Sequence, residues 1–176
     1  MDASHLVFVD ESGANTNMTR LYARARDGQR AMDSAPHGHW KTTTILGSLR
    51  LDGSNASMTL DGATDNLAFS AYICHVLAPT LKPGDRVILD NLPAHHSAAA
   101  QAAIRAVGAE ILPLPPYSPD LNPIEKMWSK VKALLRTAKA RTREDLEMAI
   151  GKALQSVTPE DAQGWILECG YTAFKT

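Results

Sequence analysis

The sequence has little cysteine and no segment that would carry it into a membrane. Only two of its 176 residues are cysteine, Cys74 and Cys169, and both fall within apolar, helix-like patterns. They are typical of small buried side chains in a reducing compartment, which argues against a disulfide framework. No run approaches the ~20 apolar residues of a membrane span, and the N-terminus shows no signal-peptide pattern. We therefore expect a cytoplasmic protein.

An excess of charge of either sign is also missing. Eighteen Lys and Arg residues oppose nineteen Asp and Glu residues, which gives a net charge of −1. The whole molecule is therefore not a basic nucleic-acid binder, and any such contact must come from a local patch. Histidine and cysteine form no cluster that would suit a softer metal. An apolar content of 44% and this length suit one soluble domain with a sizeable core.

The most informative stretch is Pro115–Trp128, which reads Pro-Pro-Tyr-Ser-Pro-Asp-Leu-Asn-Pro-Ile-Glu-Lys-Met-Trp. Its prolines stiffen a loop, after which Asn122 is expected to cap a helix whose first turn Pro123 fits. Glu125 then lies at the helix start, either as a positioned carboxylate or merely closing a capping box with Asn122. The helix is expected to run to about residue 137 with a buried stripe: Ile124, Met127, Trp128, Val131, Leu134 and Leu135.

Two aspartates follow short apolar runs. His5–Val9 precedes Asp10, and Arg86–Leu89 precedes Asp90. Such runs are typical of buried strands, and ligand sites in mixed α/β sheets tend to lie at strand ends. Two strand-end aspartates and Glu125 would make an oxygen-rich site for Mg²⁺ or Mn²⁺. The three acids meet only if the two strands are neighbours, an adjacency that the sequence leaves open.

The remaining strands and helices predict a mixed α/β arrangement. Residues 41–51 and 56–60 are β-rich and are joined by the turn Asp52–Asn55, which predicts a hairpin. Another short strand is expected at 110–114, whereas Arg20–Arg26 fits either a strand or a helical turn. The element order therefore predicts a mixed sheet with helices packed on it. Four further helices are expected to start at N-cap residues: Thr64, Ser97, Thr142 and Thr158.

Three segments, taken together and in order, resemble the catalytic domain of mariner-superfamily transposases, in particular the bacterial branch called insertion sequence 630. They are Val9–Ser12, Leu89–Asn91 followed by His95, and Tyr117–Glu125 followed by Trp128. The resemblance extends from residue 5 to about 170. It implies a single RNase H-like domain over residues 1–176, an α/β fold whose mixed sheet has antiparallel first strands, then parallel strands, and flanking helices.

The resemblance also implies the chemistry of a DDE transposase, in which Asp10, Asp90 and Glu125 are catalytic and bind two Mg²⁺ ions, with Mn²⁺ as a substitute. Such an enzyme hydrolyses a DNA strand and then uses the freed 3′-hydroxyl to attack target DNA. Two ions roughly 3.5–4 Å apart can serve the attacking and leaving oxygens. We assign the bridging position to Asp10, one ion to Asp90 and the other to Glu125. Repulsion among the carboxylates should raise at least one pKa in the metal-free site.

The implied partners are DNA, both transposon ends and target, and a second copy of the chain in a homodimer. Transposases of this kind usually carry an N-terminal helix-turn-helix region, which is absent before the first predicted strand. We therefore expect a nucleoid-associated catalytic half that works with an upstream helix-turn-helix product made as a fusion. One alternative is a non-catalytic or decayed fragment that binds DNA or full-length transposase as an interfering subunit. Another is an RNase H-like nuclease acting on RNA–DNA hybrids, which the proline-rich block disfavours.

Several residues near the acids need separate interpretation. Glu11 should point to the face opposite Asp10, because side chains alternate along a strand. Trp128 is read as a core residue. Asn91 and His95 follow the second strand; by themselves they read as a turn residue and an exposed loop histidine. When the resemblance is considered, contact of Asn91 and His95 with the metal ligands or with DNA phosphates is as strong a hypothesis as the turn and loop roles.

A basic run follows the predicted Glu125 helix. Seven basic residues and no acid lie between Lys126 and Arg143. Such a run is usually only a solvated helix face, but its place beside the acids favours contact with the DNA backbone. Arg20, Arg24 and Arg26 could extend this patch. The residues assigned to DNA contact are Lys126, Lys130, Lys132 and Arg136.

Overall fold

A five-stranded mixed sheet forms the middle layer of the protein. The computed structural model describes residues 2–34, 40, 42–90, 97–116 and 118–172. The sheet order is β3-β2-β1-β4-β5; β1 pairs antiparallel with β2 and parallel with β4. The β2–β3 pair is antiparallel and the β4–β5 pair is parallel, so the predicted mixed sheet is confirmed. The strands are β1 (Leu6–Ala14), β2 (Thr43–Leu49), β3 (Ser57–Asp61), β4 (Arg86–Leu89) and β5 (Glu110–Pro113).

Helices cover both faces of the sheet. One face carries α1 (Asn66–Tyr72), which continues through a π-helical turn and a 3-10 turn to Thr80, and α2 (Ala98–Ala106). The other face carries α3 (Ile124–Ala138), α4 (Arg143–Gln155) and α5 (Pro159–Glu168). Within the described residues, no helix combines the length and the apolar character needed to cross a membrane.

The central strand β1 is buried on both faces. Leu6 and Phe8 point into the core under α3, α4 and α5, whereas Val7 and Val9 point into the core under α1 and α2. All four are no more than 1% exposed, which explains the continuous apolar run in the sequence. The same alternation places Asp10 on the α3 face.

The first strand is longer than predicted. Its predicted end at Asp10 is wrong, because the next residues keep pairing with β2: Glu11 lies opposite Leu46, and Ala14 lies opposite Thr43. Asp10 is therefore held within a paired strand rather than at a strand end. Asp90, in contrast, directly follows β4 as predicted.

The start of α3 also differs from the prediction. Pro123 is the N-cap residue, and no side chain caps the helix. Asn122 is buried and contributes only its backbone carbonyl, which accepts a hydrogen bond from the Glu125 N–H at 3.2 Å. Neither the Asn122 cap nor the capping box forms, because Pro123 already has helical φ and ψ. The buried stripe is confirmed except at Leu134, which is 39% exposed.

The other predicted helix starts are confirmed with one change. The hydroxyl oxygens of Thr142 and Thr158 accept hydrogen bonds from the Asp145 and Asp161 backbone N–H groups, and Ser97 caps α2 in the same way. For α1 the cap is Asp65 rather than Thr64. Arg20–Arg26, which fitted either a strand or a helical turn, is neither; residues 15–34 contain no helix and no strand.

Candidate active site

The register between β1 and β4 brings two of the three predicted acids together. Val7 pairs with Val87 and Phe8 with Ile88 in a parallel ladder. The same register carried two residues further places Asp10 beside Asp90, just past the end of β4. The structure thus supplies the strand adjacency that the sequence left open.

The third acid comes to the same edge on α3. Ile124, Met127 and Trp128 are buried against the sheet and fix the first turn of the helix there. Glu125 occupies the intervening exposed position in that turn. Its negative charge raises the pKa of Asp10, as does the charge of Asp90, so both carboxylates lie within electrostatic reach of Asp10.

Asp10 is the electrostatic centre of this group. Its side chain is buried, with 7% of the residue exposed. Burial is the largest influence and, together with the negative charges of Glu125 and Asp90, raises the pKa of Asp10 from 3.8 to about 7. Hydrogen bonds from the Glu11 backbone and from Trp128 act in the opposite direction. The predicted rise of a pKa among these carboxylates is confirmed, with burial as its main cause.

Trp128 holds Asp10 in place. Its indole Nε1–H donates a hydrogen bond to Asp10 Oδ2 at 3.1 Å, within the core. Trp128 is 2% exposed, so the core reading is confirmed, but that reading missed the bond to Asp10. A signal was present in the sequence, because a buried tryptophan N–H generally needs a partner and Trp128 follows Glu125 by one helical turn.

Gly47 makes room for that tryptophan. It lies directly opposite Asp10 in β2, and a Cβ atom there would stand 2.7 Å from Trp128 Cη2. Only glycine lets the indole lie this close to the strand. An isolated glycine inside a β-rich run often marks such a close approach, but the sequence reasoning did not use it.

The side chains of this edge suit a hard divalent cation by charge and donor type. Asp10, Asp90 and Glu125 offer only carboxylate oxygens, which Mg²⁺ and Mn²⁺ prefer. A cation would also relieve the repulsion that raises the pKa of Asp10. Among the described residues, however, no three His, Cys, Asp or Glu side chains are already gathered into a metal cluster. The fit lies in the electrostatics rather than in a preformed ligand cage.

Glu11 lies outside this group. It follows Asp10 on β1 and points to the opposite face, as its place in the strand predicts. Its Oε2 atom is buried and has no hydrogen-bond partner among the residues that the structure describes. The other predicted neighbours, Asn91 and His95, lie outside the described residues.

The basic residues assigned to DNA contact divide into two kinds. Lys126 forms an ion pair with Glu168, and Lys130 forms one with Asp161, so both tie α3 to α5. The Lys130 ammonium also donates to the Ser156 carbonyl at 2.8 Å. The other two, Lys132 and Arg136, form no ion pair with a described residue and remain available to a ligand.

A second buried aspartate lies at the opposite end of the parallel strands, where β4 begins. Asp85, just before β4, is 1% exposed and accepts hydrogen bonds from Arg50 Nη2 at 2.6 Å and from the Lys82 N–H at 2.8 Å. Burial raises its pKa, but these bonds outweigh burial and leave the pKa below its ordinary value. Asp85 thus has its cation within the chain, whereas Asp10 has carboxylates for neighbours.

Comparison with known proteins identifies the family. A family profile described as "DDE superfamily endonuclease" matches residues 5–147. The chain belongs to this family. No curated protein matches it.

Solved structures of Mos1 transposase share the fold of this DDE family member. The Mos1 paired-end complex with left transposon end has a TM-score of 0.74 at 20% identity over 95% of this chain and 52% of that chain. The mariner Mos1 paired-end complex with Mn has a TM-score of 0.70 at 20% identity, over 94% and 52%. The Mos1 catalytic domain with Raltegravir and Mn has a TM-score of 0.66 at 13% identity, over 94% and 78%. The chain thus spans about half the length of the Mos1 chains in the paired-end complexes, and its RNase H-like fold is confirmed.

Replacement of Asp10 by Asn should stabilise the metal-free protein in a pH-dependent way. The folded-state pKa of Asp10, about 7, lies above its ordinary value of 3.8. Protonated Asp10 therefore contributes its full stabilisation of the fold below pH ~3.8, and this contribution is lost as the pH rises through ~7. Asn keeps an oxygen acceptor for Trp128 and escapes this loss. Urea unfolding in EDTA should give Asp10→Asn an advantage of at most about 4 kcal/mol at pH 8 and almost none near pH 4.

Asp85→Asn is the matched control, with the opposite sign. The lowered pKa of Asp85 means that its ionised form stabilises the fold at neutral pH, and that this contribution is lost as the pH falls through the folded-state pKa. This variant should therefore be less stable than the parent at pH 8, with a smaller deficit in acid. Equal losses of stability in both variants at pH 8 would show that the fold does not disfavour the ionised form of Asp10.

Addition of one methyl group at Gly47 should destabilise the protein. The new Cβ would meet the packed indole of Trp128, so Gly47→Ala should cost about 1–3 kcal/mol, the usual range for overpacking. Gly151→Ala in α4, where a Cβ meets nothing within 4 Å, should instead stabilise the fold by about 0.5–1 kcal/mol. Urea unfolding measures both; a neutral or stabilising Gly47→Ala would mean that Trp128 is not seated against β2.

Proposed function

We propose that this chain is a transposase catalytic domain that cleaves DNA strands and joins them to target DNA with divalent metal ions. The observation that carries the proposal is the strand register, which sets Asp10 beside Asp90 while α3 brings Glu125 to the same edge. Membership of the DDE endonuclease family supports it. So do the structures of Mos1 transposase, which include complexes with a transposon end, with Mn and with Mg.

Asp10, Asp90 and Glu125 would hold the metal. Asp10 would serve both Mg²⁺ ions, with Mn²⁺ as a substitute, while Asp90 would serve one ion and Glu125 the other. When bound, the ions supply activation of the attacking oxygen and stabilisation of the leaving oxygen. The second step, in which a 3′-hydroxyl attacks target DNA, rests on the likeness to transposases.

The residues around Asp10 fix its orientation. The Trp128 N–H holds Oδ2, the Glu11 backbone also bonds the carboxyl group, and pairing of β1 with β2 prevents the backbone from shifting. The buried carboxyl gives up its proton when a cation binds, because the cation favours the charged form. Glu125, exposed on the first turn of α3, would supply the third carboxylate to the metal.

Narrower assignments follow from the same likeness. We infer from the proline-rich block, Pro115–Trp128, that the chain is a member of the bacterial insertion sequence 630 branch and works at the nucleoid. Transposon ends and target DNA are the substrates, and joining of paired ends calls for a homodimer and an upstream helix-turn-helix product. We assign Lys132 and Arg136 to the DNA backbone. Lys126 and Lys130 chiefly brace α3 against α5 through their ion pairs.

A second candidate is a non-catalytic subunit that occupies DNA or a full-length transposase and interferes with it. One observation favours it: the described side chains do not form a closed metal cluster. The two candidates share the fold and the DNA ligand, so binding alone does not separate them. Strand cleavage does.

Nicking of supercoiled plasmid tests the proposal. With Mn²⁺ or Mg²⁺ the chain should convert supercoiled plasmid to the open-circular form, alone or fused behind a helix-turn-helix product. Asp90→Asn and Glu125→Gln should each lower the rate by more than the ~10–100-fold typical for loss of a ligand's hydrogen-bond partner.

Glu11→Gln serves as the matched control, because it neutralises the carboxylate next to Asp10 on the opposite face of β1. It should nick at the parental rate. Nicking by Asp90→Asn at the parental rate would refute the assignment of the acids. Absence of nicking by the parent, with DNA binding intact, would favour the interfering subunit.

A further inference from the structure

The positive charge of the α3 region is largely neutralised within the chain. Lys126, Lys130 and Lys139 form ion pairs with Glu168, Asp161 and Asp33. Arg143 pairs with both Asp61 and Glu147. The basic run from Lys126 to Arg143 therefore offers a polyanion less available positive charge than the number of its basic residues suggests.

Unpaired positive charge is concentrated elsewhere, in the segment between β1 and β2. Residues 20–30 contain four arginines and one acid, Asp27. All of these residues are exposed. None of the guanidinium groups forms an ion pair with any residue that the structure describes. The arginines are Arg20, Arg24, Arg26 and Arg30.

The segment follows the end of β1 and is held at both ends. It leaves β1 at Ala14, on the strand that carries Asp10. At its beginning, Arg141 Nη1 donates to the carbonyl oxygens of Thr16 at 2.8 Å and Met18 at 3.1 Å. At its end, Asp33 pairs with Lys139. Both anchoring cations belong to the link between α3 and α4, so the segment is fixed to the body of the domain.

Large apolar side chains on this segment face solvent. Tyr22 and Met32 are each 90% exposed, and Leu21 is 65% exposed. They border an open cavity of about 420 Å³ that Lys139 closes on one side. An exposed aromatic ring among arginines is the arrangement by which proteins hold single-stranded nucleic acid, with bases stacked on the ring and phosphates on the cations.

We propose that residues 20–32, which we call the arginine loop, bind the DNA strand next to the acidic edge. The arginines contact phosphates, and Tyr22 stacks on a base of an unpaired stretch. This inference takes DNA as the ligand from the proposed function. Charge complementarity favours a polyanion over a neutral protein surface, because residues 20–30 contain four arginines that pair with no described residue, and a single acid.

The salt dependence of DNA binding tests the phosphate contacts. Fluorescence anisotropy with duplex and single-stranded oligonucleotides, in EDTA, reports binding without chemistry. For duplex DNA each phosphate contact contributes about 0.9 to the slope of log affinity against log salt. Arg24→Ala/Arg26→Ala should therefore lower the slope by about 2. The matched pair Lys126→Ala/Lys130→Ala removes the same charge from α3, where Glu168 and Asp161 already pair with it, and should lower the slope by less than half as much.

Tyr22 tests the stacking contact. Tyr22→Ala should weaken binding of a single-stranded oligonucleotide about tenfold or more and leave duplex binding within about twofold. Tyr22→Phe keeps the ring and should restore the parental affinity. Failure of Phe to rescue, or an equal loss on both DNA forms, would overturn the stacking contact.

Three results would overturn the loop as a DNA site: an unchanged salt slope in Arg24→Ala/Arg26→Ala, a larger loss in the α3 pair, or binding of polyglutamate as tight as that of DNA. Thermal unfolding should be unchanged in the loop variants, since their side chains are exposed. The outcome is separable from the proposed function. Loop-dependent DNA binding without metal-dependent nicking would refute the nuclease proposal and support the arginine loop as a DNA site. Metal-dependent nicking with DNA binding that does not depend on the loop would support the nuclease proposal and refute the loop as a DNA site.

Discussion

The structure depends on one buried carboxyl group that cannot move away from its neighbours. Asp10 lies in a strand that is buried on both faces and paired on both sides, and the Trp128 indole bonds one of its oxygens. Gly47, opposite it, leaves the space that the indole occupies. The packing of α3 on the sheet thereby fixes the carboxyl group and brings Glu125 to the same edge.

The two buried aspartates lie toward opposite ends of the parallel strands, and their pKa values are shifted in opposite directions. At one end, Asp85 meets the Arg50 guanidinium, and its pKa is lowered. At the other, Asp10 meets Asp90 and Glu125, and its pKa is raised to about 7. A carboxylate buried without an internal cation is costly unless something outside the chain supplies the charge. That asymmetry makes the Asp10 edge the candidate ligand site.

The sequence predicted the mixed sheet and the three acids because those features follow from short-range patterns. Apolar runs locate the strands, and the proline block locates the start of α3. The full length of β1 was missed because β2 decides it, by pairing with Glu11–Ala14. The bond from Trp128 to Asp10 joins residues far apart in the chain, and so do the ion pairs that neutralise Lys126 and Lys130. Local patterns carry no information on such partners.

Diffraction from crystals grown with Mn²⁺ tests the central claim, that Asp10, Asp90 and Glu125 bind a divalent cation together. Data collected at the manganese absorption edge locate the ions by anomalous scattering, independently of any activity. The account predicts anomalous peaks within ligand distance of Asp10, Asp90 and Glu125, with the Trp128 bond to Asp10 retained. Absence of manganese at this edge, or its presence only elsewhere on the protein, would contradict the account.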